Sequence, residues 1–348
     1  MIPNRYHFVW FGGAFPFTHA LAIRSVAMTS APERITLHGT HDLGAEPHFA
    51  ALLKDLPGLE SRRIDIDALL AGPGLGDPHR LREVWRHLIE RGRWAALSDI
   101  LRYLVLLREG GVYLDLDTVT LRDLRPLLDE PGFCGRERLL VDSATYRRGS
   151  RWRYLRTGPL DLARWVCSRT ESGIAAFARI ARFFPAAING AVLAAPAGHA
   201  LMREALERVP ELVPELERRR PVIGPDLLQR LIDGGDDDDD GAGPAESPRR
   251  DISVFAPAWF YPLGPQMAAQ LFRIRPSAAA VDRALRAAIC PDTFVVHWYN
   301  DNLRARARPP DPESIRALAD RQLFSRLALP FLPGSPGSPG RSPEDTPA

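Results

Sequence analysis

The sequence predicts an α/β protein built on a Rossmann-like, mostly parallel sheet flanked by helices, and two observations carry that prediction. Over the first ~130 residues short apolar runs alternate with amphipathic ones, the signature of repeated β-α-β units. A long helical pattern then closes at Gly110-Gly111 and passes directly into the apolar run Val112-Tyr113-Leu114.

Taken in order, Tyr6 to Phe11, closed by Gly12-Gly13, reads as the first buried strand, and Arg34 to His38 and Arg63 to Ile66 as the next two. Leu81, Val84, Trp85, Leu88 and Ile89 fall at i, i+3, i+4, i+7 and i+8, which predicts a helix with one buried face. A second helix is expected from about Ala95 to Glu109, and the strand after it delivers Asp115 and Asp117 at its carboxyl end. Beyond ~130 the pattern is looser and partly helical. Helices are expected around Gly173 to Phe184, Gly198 to Arg208 and Pro225 to Ile232, while the arginine- and aromatic-rich stretch Tyr146 to Trp165 matches no regular pattern. Residues 234–250, with their run of aspartates, read as a flexible acidic loop, and 330–348, rich in proline, glycine and serine, as a disordered tail. The expected organisation is one domain over 1–329, with a ligand-binding half at about 1–130 and a closing half at about 131–329.

The composition narrows the function. With 348 residues, 45% apolar, the chain can bury a substantial core. Its 45 basic and 43 acidic side chains nearly cancel, so no general field draws it to nucleic acid or lipid. Cys134, Cys167 and Cys290 are widely spaced and form no CxxC pair. The apolar run after Met1 is too short for a signal peptide or a membrane span, and a cytoplasmic location is expected. Lys54 is the only lysine, so no mechanism can draw on a lysine further along, and no GxxxxGK(S/T) occurs.

Asp115-Leu116-Asp117 carries most of the chemistry. On a strand, residues i and i+2 face the same way, so the two carboxylates are expected to converge while Leu116 points away. Such a pair repels unless a cation or hydrogen-bond donors compensate, and oxygen ligands suit Mg²⁺ or Mn²⁺; a plain surface turn is the alternative. In the preceding helix Leu97, Ile100, Leu101, Leu104 and Val105 form a buried stripe, and Asp99 and Arg102 project together from the opposite face. They read either as a surface ion pair or as groups brought to a ligand, Arg102 donating and Asp99 accepting.

Ser98-Asp99-Ile100-Leu101-Arg102, with Glu109-Gly110-Gly111-Val112-Tyr113-Leu114-Asp115-Leu116-Asp117, resembles the DxD sugar-binding region of a glycosyltransferase family. That family includes fungal α-mannosyltransferases, Golgi α-1,4-sugar transferases and, more distantly, glucosylating clostridial toxins. The resemblance implies a GT-A fold, a nucleotide-sugar donor, most simply a UDP-sugar, a divalent cation (Mn²⁺ or Mg²⁺) and retention of anomeric configuration. It extends to Ile2 to Gly13, similar to the family's opening strand, where Trp10 would stack on the nucleotide base. Asn189-Gly190-Ala191 resembles its asparagine near the donor sugar, and Ile223-Gly224-Pro225 its Gly-Pro helix start.

Phe294 to Asn302 resembles the family's closing segment. By that likeness His297 completes the metal shell with Asp117, with Asn300 and Asp301 as alternatives. Asn302 stands where a second tryptophan is usual, a departure in the closing loop. The resemblance thus makes Asp115 and Asp117 the catalytic pair, Trp10, Asp99, Arg102, Asp115 and Asn189 the donor-binding residues, and Asp117 and His297 the metal ligands. The acceptor is open: a glycan, a lipid, a small molecule or a protein. Two rivals remain. Asp115-Leu116-Asp117-Thr118-Val119 also fits the nucleophile loop of haloacid-dehalogenase-type phosphohydrolases, although three expected strands precede it and no lysine follows. The other is a catalytically silent nucleotide-sugar-binding module.

Overall fold

A computed structural model describes residues 1–139, 151–216, 222–233, 251–300 and 309–335. The expected acidic loop 234–250, Asp301 and Asn302, and the tail from 336 lie outside the described residues.

The centre is a seven-stranded mixed sheet. Strand β1 (Arg5–Trp10) is followed by helix α1 (Phe17–Ser30), β2 (Arg34–Gly39), α2 (Pro47–Asp55) and β3 (Leu59–Arg63). Helices α3 (Ile66–Ala71), α4 (Pro78–Glu90) and α5 (Trp94–Glu109) then lead to β4 (Gly111–Leu114). Further on come β5 (Thr118–Thr120), β6 (Phe133–Arg138), β7 (Ala186–Ala195), β8 (Ser253–Phe255) and β9 (Val295–His297). The sheet order is β3-β2-β1-β4-β7-β6-β8. The first four are parallel neighbours, β7 runs antiparallel to both β4 and β6, and β8 is parallel to β6. The expected α/β fold with a mostly parallel sheet is what forms, and helices do occupy much of the second half.

Helices cover both faces. On one, α4 and α5 meet the helices Ala200–Arg208 and Leu227–Asp233 in a core that includes Trp85, Leu97, Leu101, Leu104 and Met202. On the other, α1 and α2 enclose Phe8, Ile23, Leu37, Phe49 and Leu114. A third cluster, around Phe272, Trp298 and Phe324, knits the carboxy-terminal helices together and includes Phe331 and Leu332. Phe331 and Leu332, inside the span expected to be a disordered tail, are therefore buried in the fold.

Three local expectations are corrected. The third strand is Leu59–Arg63, not Arg63 to Ile66: at the sheet edge only Leu59 is fully buried, so the strand carries little hydrophobic pattern. Ile64 and Ile66, which suggested the later placement, pack beside the first core instead. From Ala96 to Leu107 helix α5 has no exposed residue; Asp99 and Arg102 are themselves buried, because β7 and the Val222–Asp226 turn cover that side. The stretch left unassigned at Tyr146 to Trp165 contributes to a helix, Arg151–Arg169. No described helix is long and apolar enough to cross a membrane.

Candidate active site

The site forms where the chain leaves β4. Gly110 and Gly111 have φ of 63° and 111°, and a Cβ on either would lie about 2.6 Å from the Ala197 amide nitrogen or 2.5 Å from the Arg5 carbonyl oxygen. Glycine there lets β4 slide between β1 and β7 without a clash. Beyond Leu114 the strand ends: Asp115, Leu116 and Asp117 lie in a turn rather than on a pleat, which corrects the strand-end expectation. The carboxylates still converge, for a different reason. Thr118 Oγ1 donates to the Asp115 carbonyl at 2.7 Å, and the Trp298 amide donates to the Asp117 carbonyl at 2.9 Å, folding the turn back on itself.

His297 arrives through the small antiparallel sheet of β5 and β9, whose register sets Thr118 opposite His297. The histidine is thereby one residue from Asp117 across the ladder. Its Nε2 lies 2.8 Å from Asp117 Oδ1, and the Asn300 amide donates to Asp117 Oδ2 at 2.8 Å. Burial opposes the Asp117 charge, but the His297 charge and hydrogen bond and the Asn300 amide outweigh it and hold the carboxyl down at about 2. Burial also disfavours the His297 imidazolium, yet Asp117 beside it raises its pKa overall.

Asp115 is held from the other side. Tyr113 Oη donates to its Oδ1 at 2.7 Å and Ser98 Oγ lies 3.1 Å from the same hydroxyl. Arg102 reaches Asp115 at 3.4 Å and Asp99 at 3.0 Å, lies 4.5 Å from the centre of the Tyr113 ring, and donates to the Gly190 carbonyl. Burial lifts the Asp99 carboxyl to about 6, against the pull of Arg102 and with help from the Asp115 charge. A Cβ on Gly224 would sit 2.5 Å from Asp99 Oδ2, and one on Gly190 2.6 Å from Arg102, so both glycines make room for the pair.

In front of Asp115 and Asp117 lies a cavity of about 470 Å³. Trp10, Asp115, Asp117, His297 and Asn300 line it, as does His19 of α1, whose ring sits edge-on to Trp10 at 4.4 Å. Trp10 is anchored by its Nε1, which donates to the Ala14 carbonyl at 3.1 Å. Asp99, Arg102 and Asn189 do not line this cavity. Asn189 is buried in β7, where its Oδ1 accepts from the Ala191 amide and its side chain bonds Glu137. Sequence reasoning assigned no role to His19, Ser98, Tyr113, Glu137 or Tyr299. The signal for Tyr113 was present, since it stands two residues before Asp115; nothing local pointed to Glu137 or Tyr299.

One ligand atom each from Asp115, Asp117 and His297 lie within 4.8 Å of one another. Two carboxylates and an imidazole at the wall of an open cavity are a donor set suited to Mn²⁺ or Mg²⁺, with Asp115 27% exposed toward incoming ligands.

Residues 80–134 match the family model described as the glycosyltransferase sugar-binding region containing the DXD motif. A search of the curated proteins finds no match. Among solved structures the chain is similar to mouse xyloside xylosyltransferase 1 in its apo form, at 14% identity and TM-score 0.45, over 87% of this chain and 99% of that one. It is similar to the PaToxG glycosyltransferase at 15% identity and TM-score 0.43, over 66% of this chain and 68% of that one. The UDP-bound glycosyltransferase domain of the YGT toxin is similar at 15% identity and TM-score 0.34, over 62% of this chain and 63% of that domain.

Proposed function

From the DXD-region match as premise, we propose that the protein is a metal-dependent glycosyltransferase of the GT-A type, moving a sugar from a nucleotide-sugar, a UDP-sugar by resemblance, to an acceptor. The observation that carries the reading is the meeting of Asp115, Asp117 and His297 at a cavity wall that also holds Trp10. The acceptor class stays open among glycans, lipids, small molecules and proteins. A single domain, its packed core reaching past the expected end at 329 to Leu332, and a cytoplasmic location complete the proposal.

A nucleoside diphosphate leaves poorly because negative charge builds on its β-phosphate as the glycosidic bond breaks. Asp117 and His297, with Asp115 beside them, are the residues that would hold a divalent ion, whose bound form supplies Lewis-acid stabilisation of that charge. Asp115 is kept aimed by the Tyr113 hydroxyl and Arg102, and it faces the donor's hydroxyls. Trp10 offers an anchored aromatic face to the base. Asp99 and Arg102 act on the donor through Asp115 and the β7 backbone rather than by lining the cavity. In a retaining transfer the acceptor attacks from the leaving-group side and the departing phosphate takes its proton, so no separate protein base is needed.

The phosphohydrolase reading gains nothing from this arrangement. Asp115 follows the fourth strand in chain order, and no lysine lies beyond residue 54. A thermal-shift panel of nucleotide-sugars with and without Mn²⁺ tests the proposal, because ligand binding to the folded state raises its melting temperature. A Mn²⁺-dependent rise with a UDP-sugar and slow hydrolysis of that sugar are expected. Binding without hydrolysis or transfer would favour the silent module, and phosphate release from simple esters would favour the phosphohydrolase.

A further inference from the structure

Tyr299 has a φ of 54°, a left-handed conformation that bulky residues rarely adopt. That turn of the backbone aims the following amide, Asn300 N–H, at Asp117 Oδ2. Two contacts of its own side chain hold it there. The ring lies against His297 with centroids 4.0 Å apart, and the hydroxyl donates to Glu137 Oε2 at 2.7 Å. Glu137 is only 6% exposed, and it sits in β6, between β7 and the edge strand β8 in the main sheet's order. Burying a carboxyl there is costly without hydrogen-bond partners, and Tyr299 and Asn189 supply them. The bond therefore ties the segment after β9 to the rigid main sheet, 162 residues away in the chain.

We propose that Glu137 and Tyr299 are positioning residues: their hydrogen bond holds the strained turn that fixes the His297 ring and the Asn300 amide around Asp117, and so sets the site's affinity for a divalent cation. The inference rests on the reading of Asp115, Asp117 and His297 as a cation site. It also gives the Asn189 side chain a structural task, as a second partner of Glu137.

The test is Mn²⁺ affinity of the full chain, read by electron paramagnetic resonance of the free ion, beside the melting temperature of the metal-free protein. Tyr299→Phe removes one hydroxyl and keeps the ring on His297; Glu137→Leu removes the acceptor; Glu137→Gln keeps an acceptor oxygen. Tyr299→Phe and Glu137→Leu are each expected to weaken Mn²⁺ about tenfold or more, as loss of groups supporting metal ligands does. The double variant should be no weaker than either single one, and Glu137→Gln should stay near wild type. Should Glu137→Leu fail to fold, Tyr299→Phe carries the test alone. Unchanged Mn²⁺ affinity in Tyr299→Phe overturns the positioning role while leaving the cation site intact. A wild-type protein that holds no Mn²⁺ overturns the cation reading and this inference with it.

Discussion

Two charged layers meet at Asp115, and they differ in what they face. In front, Asp115, Asp117 and His297 line an open cavity; behind, Asp99 and Arg102 are sealed between α5, β7 and the Gly224 turn. Apart from His297, both layers come from one short stretch of chain, residues 99–117. The difference lies in the carboxylates: Asp115 and Asp117 keep 27% and 19% of their side-chain surface for a ligand, whereas Arg102 and Asp99 keep 7% and 10%; His297, held against Asp117, keeps 8%. Charge at a site has two separable uses here: contact with what binds, and orientation of the groups that make contact.

That division is open to direct attack. Asp117→Asn should cut transfer and donor hydrolysis by about a thousandfold, the loss of several kcal/mol of leaving-group stabilisation. The variant should still fold, with a lowered melting temperature, because it loses the charge that His297 and the Asn300 amide stabilise. Arg102→Leu should act chiefly on stability: it leaves Asp99 buried without its cation, and about 3 kcal/mol of folding free energy should be lost in denaturant titration. If Arg102→Leu is as stable as wild type, the rear layer is not a structural brace. Trp10→Ala should weaken donor binding by about 1 to 3 kcal/mol in calorimetry, through lost stacking on the base. An unchanged dissociation constant would remove the indole from the binding account.

The smallest expected effect lies farther from the cavity. Burial, with the charges of His7 and Arg62, holds the His38 imidazole well below its ordinary value. An imidazole that is neutral when folded and ordinary when unfolded takes up a proton on unfolding, so stability is full above about pH 6.5 and falls below it. The slope is at most about 1.4 kcal/mol per pH unit for this group. His38→Gln should flatten that acid limb; an equally steep limb would assign the proton uptake elsewhere.

Much of the front layer could be read from the residues alone. Gly110-Gly111 marks the exit of α5, Val112 to Leu114 the strand, and the two aspartates the point where it ends, all within a few residues of each other. His297 was found through likeness to a family segment, since its partner lies 180 residues earlier. The rear layer was misjudged because its cover comes from Gly190 and Gly224, far along the chain, and a polar helix face read locally looks solvent-facing. Glu137 left no local mark: in the run Arg136-Glu137-Arg138 it resembles an ordinary edge charge, and only the return of Tyr299 to β6 explains its burial. The third strand was misplaced because an edge strand needs little apolar pattern to form.

The most direct measurement is anomalous diffraction from crystals grown with Mn²⁺ and UDP. One strong manganese peak bridged by Asp115, Asp117 and His297, beside a nucleotide lying against Trp10, is the expected result. A nucleotide bound elsewhere, or a site between these three side chains that stays empty at saturating Mn²⁺, would contradict the account.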